Sequence, residues 1–181
     1  MSTFVFSSVL WIIWSFFLLQ GDDNSKILGP LLYYPHAARV LCIVYFGYRA
    51  IPALFLAEIW GPLLLFPEAF NFYPYTPSLI SVMSVPMAIL TLEFAGLKLG
   101  STRESPLNRT NYRHVALITV ISAFYNALIK NLSLSLFEVN YQERLVDILQ
   151  VCQFVIGDIL GTAIVFVVLA TTLLPILRAK R

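Results

Sequence analysis

An all-α membrane bundle is what this sequence predicts, and three features predict it. Hydrophobic residues make up 59% of the 181 positions and charged residues 12%, against about 45–50% and about 25% in a soluble domain. The apolar residues fall into runs of about 17–25, the length a membrane-spanning helix needs. No hydrophilic stretch between them is long enough to fold separately, the longest running from about Lys98 to His114. The expectation is one integral membrane domain over residues 1–181, polytopic, with about six transmembrane helices.

The first predicted span is Phe4–Gln20. It resembles a signal peptide, but it lacks a basic n-region, and "LLQG" is a poor small-x-small cleavage site, so it reads as a retained helix. The second, Pro30–Phe46, contains "YYPHAAR", a proline, a histidine and an arginine inside an apolar run. Pro35 either kinks this helix or lies in its first turns, where a proline costs little. A short turn with Gly47 and Arg49 leads to the third span, Ala50–Phe66, which holds Pro52 and Glu58. The proline- and aromatic-rich "PEAFNFYPYT" follows as an interfacial loop. Tyr33, Tyr34 and the aromatics of that loop suit the headgroup level.

The fourth span, Pro77–Leu97, carries Pro86 as a second kink candidate and Glu93 near one end. The fifth is His114–Phe137, with Lys130 towards its far end. Lys130 and Glu93 lie close enough to helix ends to snorkel. The sixth, Leu145–Leu177, is long enough to begin along the interface, to tilt, or to break near Gly157 or Gly161. Those two glycines sit four apart, a spacing that lets helix backbones approach closely.

Charge sets the orientation. "QGDDNSK" is acidic on balance, and Pro67–Thr76 has no Lys or Arg. Basic residues collect after the second span, in Lys98–His114 (Arg103, Arg109, Arg113) and in the tail "LRAKR" with Arg178. The positive-inside rule then places both termini in the cytoplasm of a cell whose inner (plasma) membrane holds the protein. These arginines also form the expected surface for a cytoplasmic or membrane protein partner. Net charge is +2 with the basic residues scattered, so nucleic acid is not an expected partner. Cys42 and Cys152 both lie in apolar runs and read as small buried hydrophobes. No Cys/His spacing suggests zinc or a haem, and no cofactor is identified.

The functional candidates are the ionisable groups inside the bilayer, each costing about 2.5–3.5 kcal/mol on insertion scales. At about 1.5 Å per residue, His36 lies about 9 Å and Arg39 about 13 Å below Pro30, and Glu58 about 12 Å above Ala50. Asp158 is near the middle of the last run, so Arg39, Glu58 and Asp158 share a level near the midplane. His36 and Arg39, three apart, share a helix face. One arginine and two carboxylates nearly neutralise one another, with His36 as a hydrogen-bonding or titrating fourth member. Such a cluster locks helices together, binds a ligand or ion, or conducts protons.

In order along the chain, "LLYYPHAARVL", "FGYRAIPALFLAEIW" and "GDILGTAIVFVV" resemble the first class of bacterial membrane-associated sensor (MASE) domains. The similarity spans roughly residues 28–177. It rests on a proline-plus-small-residue segment, a G-x-R-x-x-P-type turn and a terminal G-D-x-x-G helix. The resemblance implies a sensor module of the kind usually fused to a histidine kinase, diguanylate cyclase or phosphodiesterase. The sequence stops a few residues after its last helix, so signalling is expected to run through a separate protein.

Three functions follow from this reading. The first is a membrane-embedded sensory or ligand-binding module with its site at His36, Arg39, Glu58 and Asp158. The second is a small-solute transporter, or the substrate-binding subunit of one, although no inverted repeat is evident. The third is an accessory subunit of a larger membrane complex, in which the cluster is structural. An enzyme is the least expected class. No GxSxG, HExxH or Walker loop is present, and no Ser or Cys nucleophile sits obviously at the depth of His36 and Asp158.

Overall fold

A computed structural model describes residues 1–19, 32–65, 75–97, 99, 112–137 and 148–179. Its regular elements are helical: α1 (Ser2–Leu19), α2 (Pro35–Phe46), a 3₁₀ turn (Gly47–Ala50), α3 (Ile51–Leu65), α4 (Tyr75–Phe94), α5 (Tyr112–Phe137) and α6 (Ile148–Ala179). Four stretches are long and apolar enough to cross a membrane: Pro35–Gly61, Tyr75–Phe94, Tyr112–Leu132 and Ile148–Thr172. The apolar part of α1, Ser2–Phe16, is shorter.

The Pro35–Gly61 stretch doubles back on itself. A straight helix would hold Arg39 and Glu58 about 28 Å apart, yet their side chains meet at 2.7 Å. The reversal is made at Gly47, whose φ of 65° and ψ of −159° fall in a region open essentially only to glycine. Its N–H caps α2 on the Ile43 carbonyl. Pro52 is the second residue of α3, where its missing N–H costs no helical bond.

α2 is the axis of the bundle. It contacts every other helix, while α1, α3, α4, α5 and α6 pack in that order around it. All of its residues from Pro35 to Val44 are buried. A helix that is apolar and enclosed on all sides belongs at a core. The outward faces are apolar in turn. On α4, Leu79, Met83, Met87, Leu90 and Phe94 are exposed, while Ser78, Ser81 and Ser84 point inward and are buried. This inside-out arrangement fits a lipid surroundings, where apolar side chains face out and polar ones must find partners within the protein.

Several expected boundaries move. The second helix begins at Pro35, not Pro30. Pro35 is its first residue and makes no kink; a proline there is pre-organised for the helix and loses no bond. The fourth helix stops at Phe94 rather than Leu97, because Gly96 at φ 89° closes it. The Gly96 N–H bonds the Glu93 carbonyl and the Leu97 N–H the Leu92 carbonyl, a Schellman termination. Pro86, by contrast, is inside α4. The last helix runs unbroken through Gly157 and Gly161.

Candidate functional site: a buried polar cluster

The site grows out of how α2 begins. Leu32 and Tyr33 precede it without helical structure, so their backbone groups need partners elsewhere. The Tyr33 N–H donates to the Gly157 carbonyl of α6 at 3.1 Å. Gly161 makes room for this: a Cβ there would lie 2.5 Å from the Tyr33 carbonyl carbon and oxygen. Gly161 therefore admits the backbone of Tyr33, where the spacing alone suggested a second helix. Tyr33 in turn packs edge-on against Trp11 (5.7 Å) and Trp14 (4.9 Å) of α1. Gly61 of α3 leaves space for the Trp11 indole.

From this start, one turn of α2 carries His36 and Arg39 into the core, both without exposed surface. Arg39 Nε donates to Glu58 Oε1 at 2.7 Å and Nη2 to Oε2 at 2.9 Å, a bidentate pair between α2 and α3. Nη2 also donates to the Tyr33 hydroxyl at 2.8 Å, and the guanidinium lies 5.1 Å from the Tyr33 ring centroid. Arg39 Nη1 has no partner among the described residues.

His36 faces the other side of the bundle. Its Nε2 is 3.1 Å from Ser122 Oγ on α5, and its Nδ1 is 3.6 Å from Asp158 Oδ2 on α6. That carboxylate oxygen accepts from Asn126 Nδ2 of α5 at 2.7 Å. Ser122 itself donates to the Thr119 carbonyl at 3.1 Å. His36, Arg39, Glu58 and Asp158 are thus brought together as two linked pairs, Arg39–Glu58 and His36–Asp158. Together they tie α2 to α3, α5 and α6.

The sequence reading left out Tyr33, Ser122 and Asn126. Tyr33 and Tyr34 were assigned to the headgroup level; Tyr34 is buried, and Tyr33 is half-buried with its hydroxyl on Arg39. Thr119, Ser122, Asn126 and Lys130 recur at helical spacing along α5, and this polar stripe in an apolar helix was the available signal. Lys130 is half-buried, its ammonium 5.8 Å from the Phe154 ring centroid. Glu93 is exposed at the end of α4. Cys42 is buried as expected, but Cys152 is exposed on the apolar outer face of α6. Of the expected partner surface, Arg113 is exposed at the start of α5, against Tyr112. Arg103, Arg109 and the Arg178 side chain lie outside the described residues.

Ser122, His36 and Asp158 have the connectivity of a nucleophile, a base and an orienting acid. Ser122 stands within a helix, however, where nearby N–H groups serve the helix ladder, so oxyanion donors would have to come from other elements. An apolar cavity of about 800 Å³ opens between the start of α1, the end of α2, α5 and α6. Thr119 and Thr162 line it, whereas His36, Arg39, Glu58 and Asp158 do not. No group of three or more His, Cys, Asp or Glu side chains suited to a metal occurs among the described residues.

Comparison with family models, curated proteins and solved structures finds no match to this chain.

Proposed function

We propose that this chain is a non-enzymatic, membrane-embedded sensory module that signals through a separate protein. The observation behind this reading is the buried cluster on α2, which contacts every other described helix. Its Arg39–Glu58 and His36–Asp158 pairs reach α3 and α6, and His36 also meets Ser122 of α5, all within about one turn of chain. A stimulus that changes either pair biases how α2 sits among its neighbours, provided it interacts differently with the two arrangements. Buried atoms without a partner among the described residues (Arg39 Nη1 and Asn126 Oδ1) give the cluster alternative hydrogen-bonding states to adopt. In this reading the chain crosses the inner membrane six times, with both termini in the cytoplasm. Arg103, Arg109, Arg113 and Arg178 then face the partner, and a MASE-like sensory role is the parallel.

The test is affinity purification of the full chain in mild detergent, with mass spectrometry of what co-elutes. A stoichiometric protein that is lost in Arg113→Glu/Arg178→Glu, while the variant stays folded, supports the reading. Reporter fusions at each end should both read cytoplasmic. Solute uptake by vesicles holding the chain alone would replace it with transport. One feature favours an accessory subunit instead: the cluster atoms are closed off from the cavity, as a purely structural lock would be. A partner that binds equally well to wild type and to a cluster variant would support that alternative.

A further inference from the structure

We propose that the stimulus is the proton: the His36–Asp158 pair holds one exchangeable proton, and its loss reorganises the contact of α2 with α5 and α6. This rests on the sensory reading above and names what the module senses.

The hydrogens can be counted from the geometry. Ser122 has one hydroxyl hydrogen, and the Thr119 carbonyl takes it at 3.1 Å. With that hydrogen on Thr119, only lone pairs face His36 Nε2 at 3.1 Å and Nε2 carries a hydrogen; with it turned to Nε2, the ring hydrogen sits on Nδ1. On the other side, Nδ1 faces Asp158 Oδ2 at 3.6 Å, an oxygen that already accepts from Asn126. Two acceptors apposed in a dry interior repel, and a hydrogen between them removes the conflict. That hydrogen belongs to an imidazolium beside a carboxylate, or to an imidazole beside a carboxylic acid. Both forms leave the pair neutral.

Arg39 of α2 and Glu58 of α3 neutralise each other, so with the proton in place these four groups sum to zero charge, which suits full burial. Among the described residues Lys130 of α5 also acts on the cluster, and its positive charge offsets the charge left when the proton leaves. When the proton leaves to water, the four groups carry a net negative charge. Neutral His36 then keeps one hydrogen. On Nε2, its Nδ1 lone pair meets the Asp158 carboxylate; on Nδ1, Ser122 must turn its hydroxyl from Thr119 to Nε2. Either way a contact between α2 and α5 or α6 changes. Asp158 directly follows Gly157, which holds the Tyr33 backbone, and Tyr33 rests on Trp11 and Trp14. The contact of α2 with α5 and α6 therefore depends on whether that proton is bound.

Two measurements on the full chain in lipid nanodiscs test this. The His114→Gln variant leaves His36 as the sole histidine. Its imidazole-nitrogen NMR spectra, taken from about pH 4 to about pH 9, should show one titration. In Trp60→Phe, where Trp11 and Trp14 are the remaining tryptophans, fluorescence should change with the same midpoint. The step should vanish in His36→Gln, and Asp158→Asn should move the midpoint by about one pH unit or more. His36 spectra that keep one form throughout overturn the proposal, as does a fluorescence step unchanged in His36→Gln. A His36 titration and a fluorescence step without any co-purifying protein would instead leave the proton site standing and remove the partner-signalling reading.

Discussion

Replacing Glu58 with leucine should destabilise the bundle far more than removing the whole ion pair. In Glu58→Leu the guanidinium of Arg39 loses its bonds at 2.7 and 2.9 Å and keeps only the Tyr33 hydroxyl at 2.8 Å. Two charge-assisted hydrogen bonds at about 1.5–3 kcal/mol each put the loss at about 3–6 kcal/mol. Breaking a buried pair from one side costs about 3–5 kcal/mol, because the other charge stays buried. Separated helices in a bilayer also find partners for their polar groups, which favours the lower end, about 3 kcal/mol. Arg39→Met/Glu58→Leu removes both charges at similar volume and should return to within about 1 kcal/mol of wild type. What is left is the Tyr33 hydroxyl without its donor, worth about 1 kcal/mol. Reversible unfolding in mixed micelles, followed by far-UV circular dichroism, measures all four corners of the cycle. A coupling of about 2 kcal/mol or more is expected, and single-variant losses that add to within about 0.5 kcal/mol would refute the reasoning.

Other substitutions test other parts of the site by the same unfolding assay. Gly161→Ala places a methyl 2.5 Å from the Tyr33 backbone, which cannot rotate away as a side chain would, and should cost about 1–3 kcal/mol with altered Trp11 and Trp14 fluorescence. Gly47→Ala meets no atom within 4 Å. Its expected loss of about 1–3 kcal/mol is conformational alone, so an unchanged stability would contradict the backbone geometry of the turn. Asn126→Leu strips Asp158 of its 2.7 Å donor and should cost about 1–3 kcal/mol, whereas a neutral result would detach Asn126 from the cluster.

Much of the cluster was legible because helical periodicity is local. His36 and Arg39 had to share a face, and ionisable groups in apolar runs had to turn inward. Tyr33 was misplaced because its aromatic character suits a headgroup belt, and only the partnership with Arg39 draws its hydroxyl inward. Ser122 and Asn126 were passed over because a serine or an asparagine is cheap enough in a helix to draw no notice. Their importance comes from what lies opposite, His36 and Asp158.

By itself the sequence determined the class of molecule, an all-helical bundle with apolar outer faces, and the turn at Gly47 that only a glycine takes easily. It also determined that His36, Arg39, Glu58 and Asp158 had to be buried, since each is an ionisable group within an apolar run. The tertiary structure alone decided how those faces meet. Arg39 takes Glu58 and leaves Asp158 to His36, and the Gly157–Gly161 notch receives the backbone of Tyr33 instead of another helix. The physical reason is that periodicity sets the direction of a side chain around its own axis. Rotation and height of one helix against the next are chosen by packing and by the demand that buried polar groups be paired, and these depend on all the helices at once.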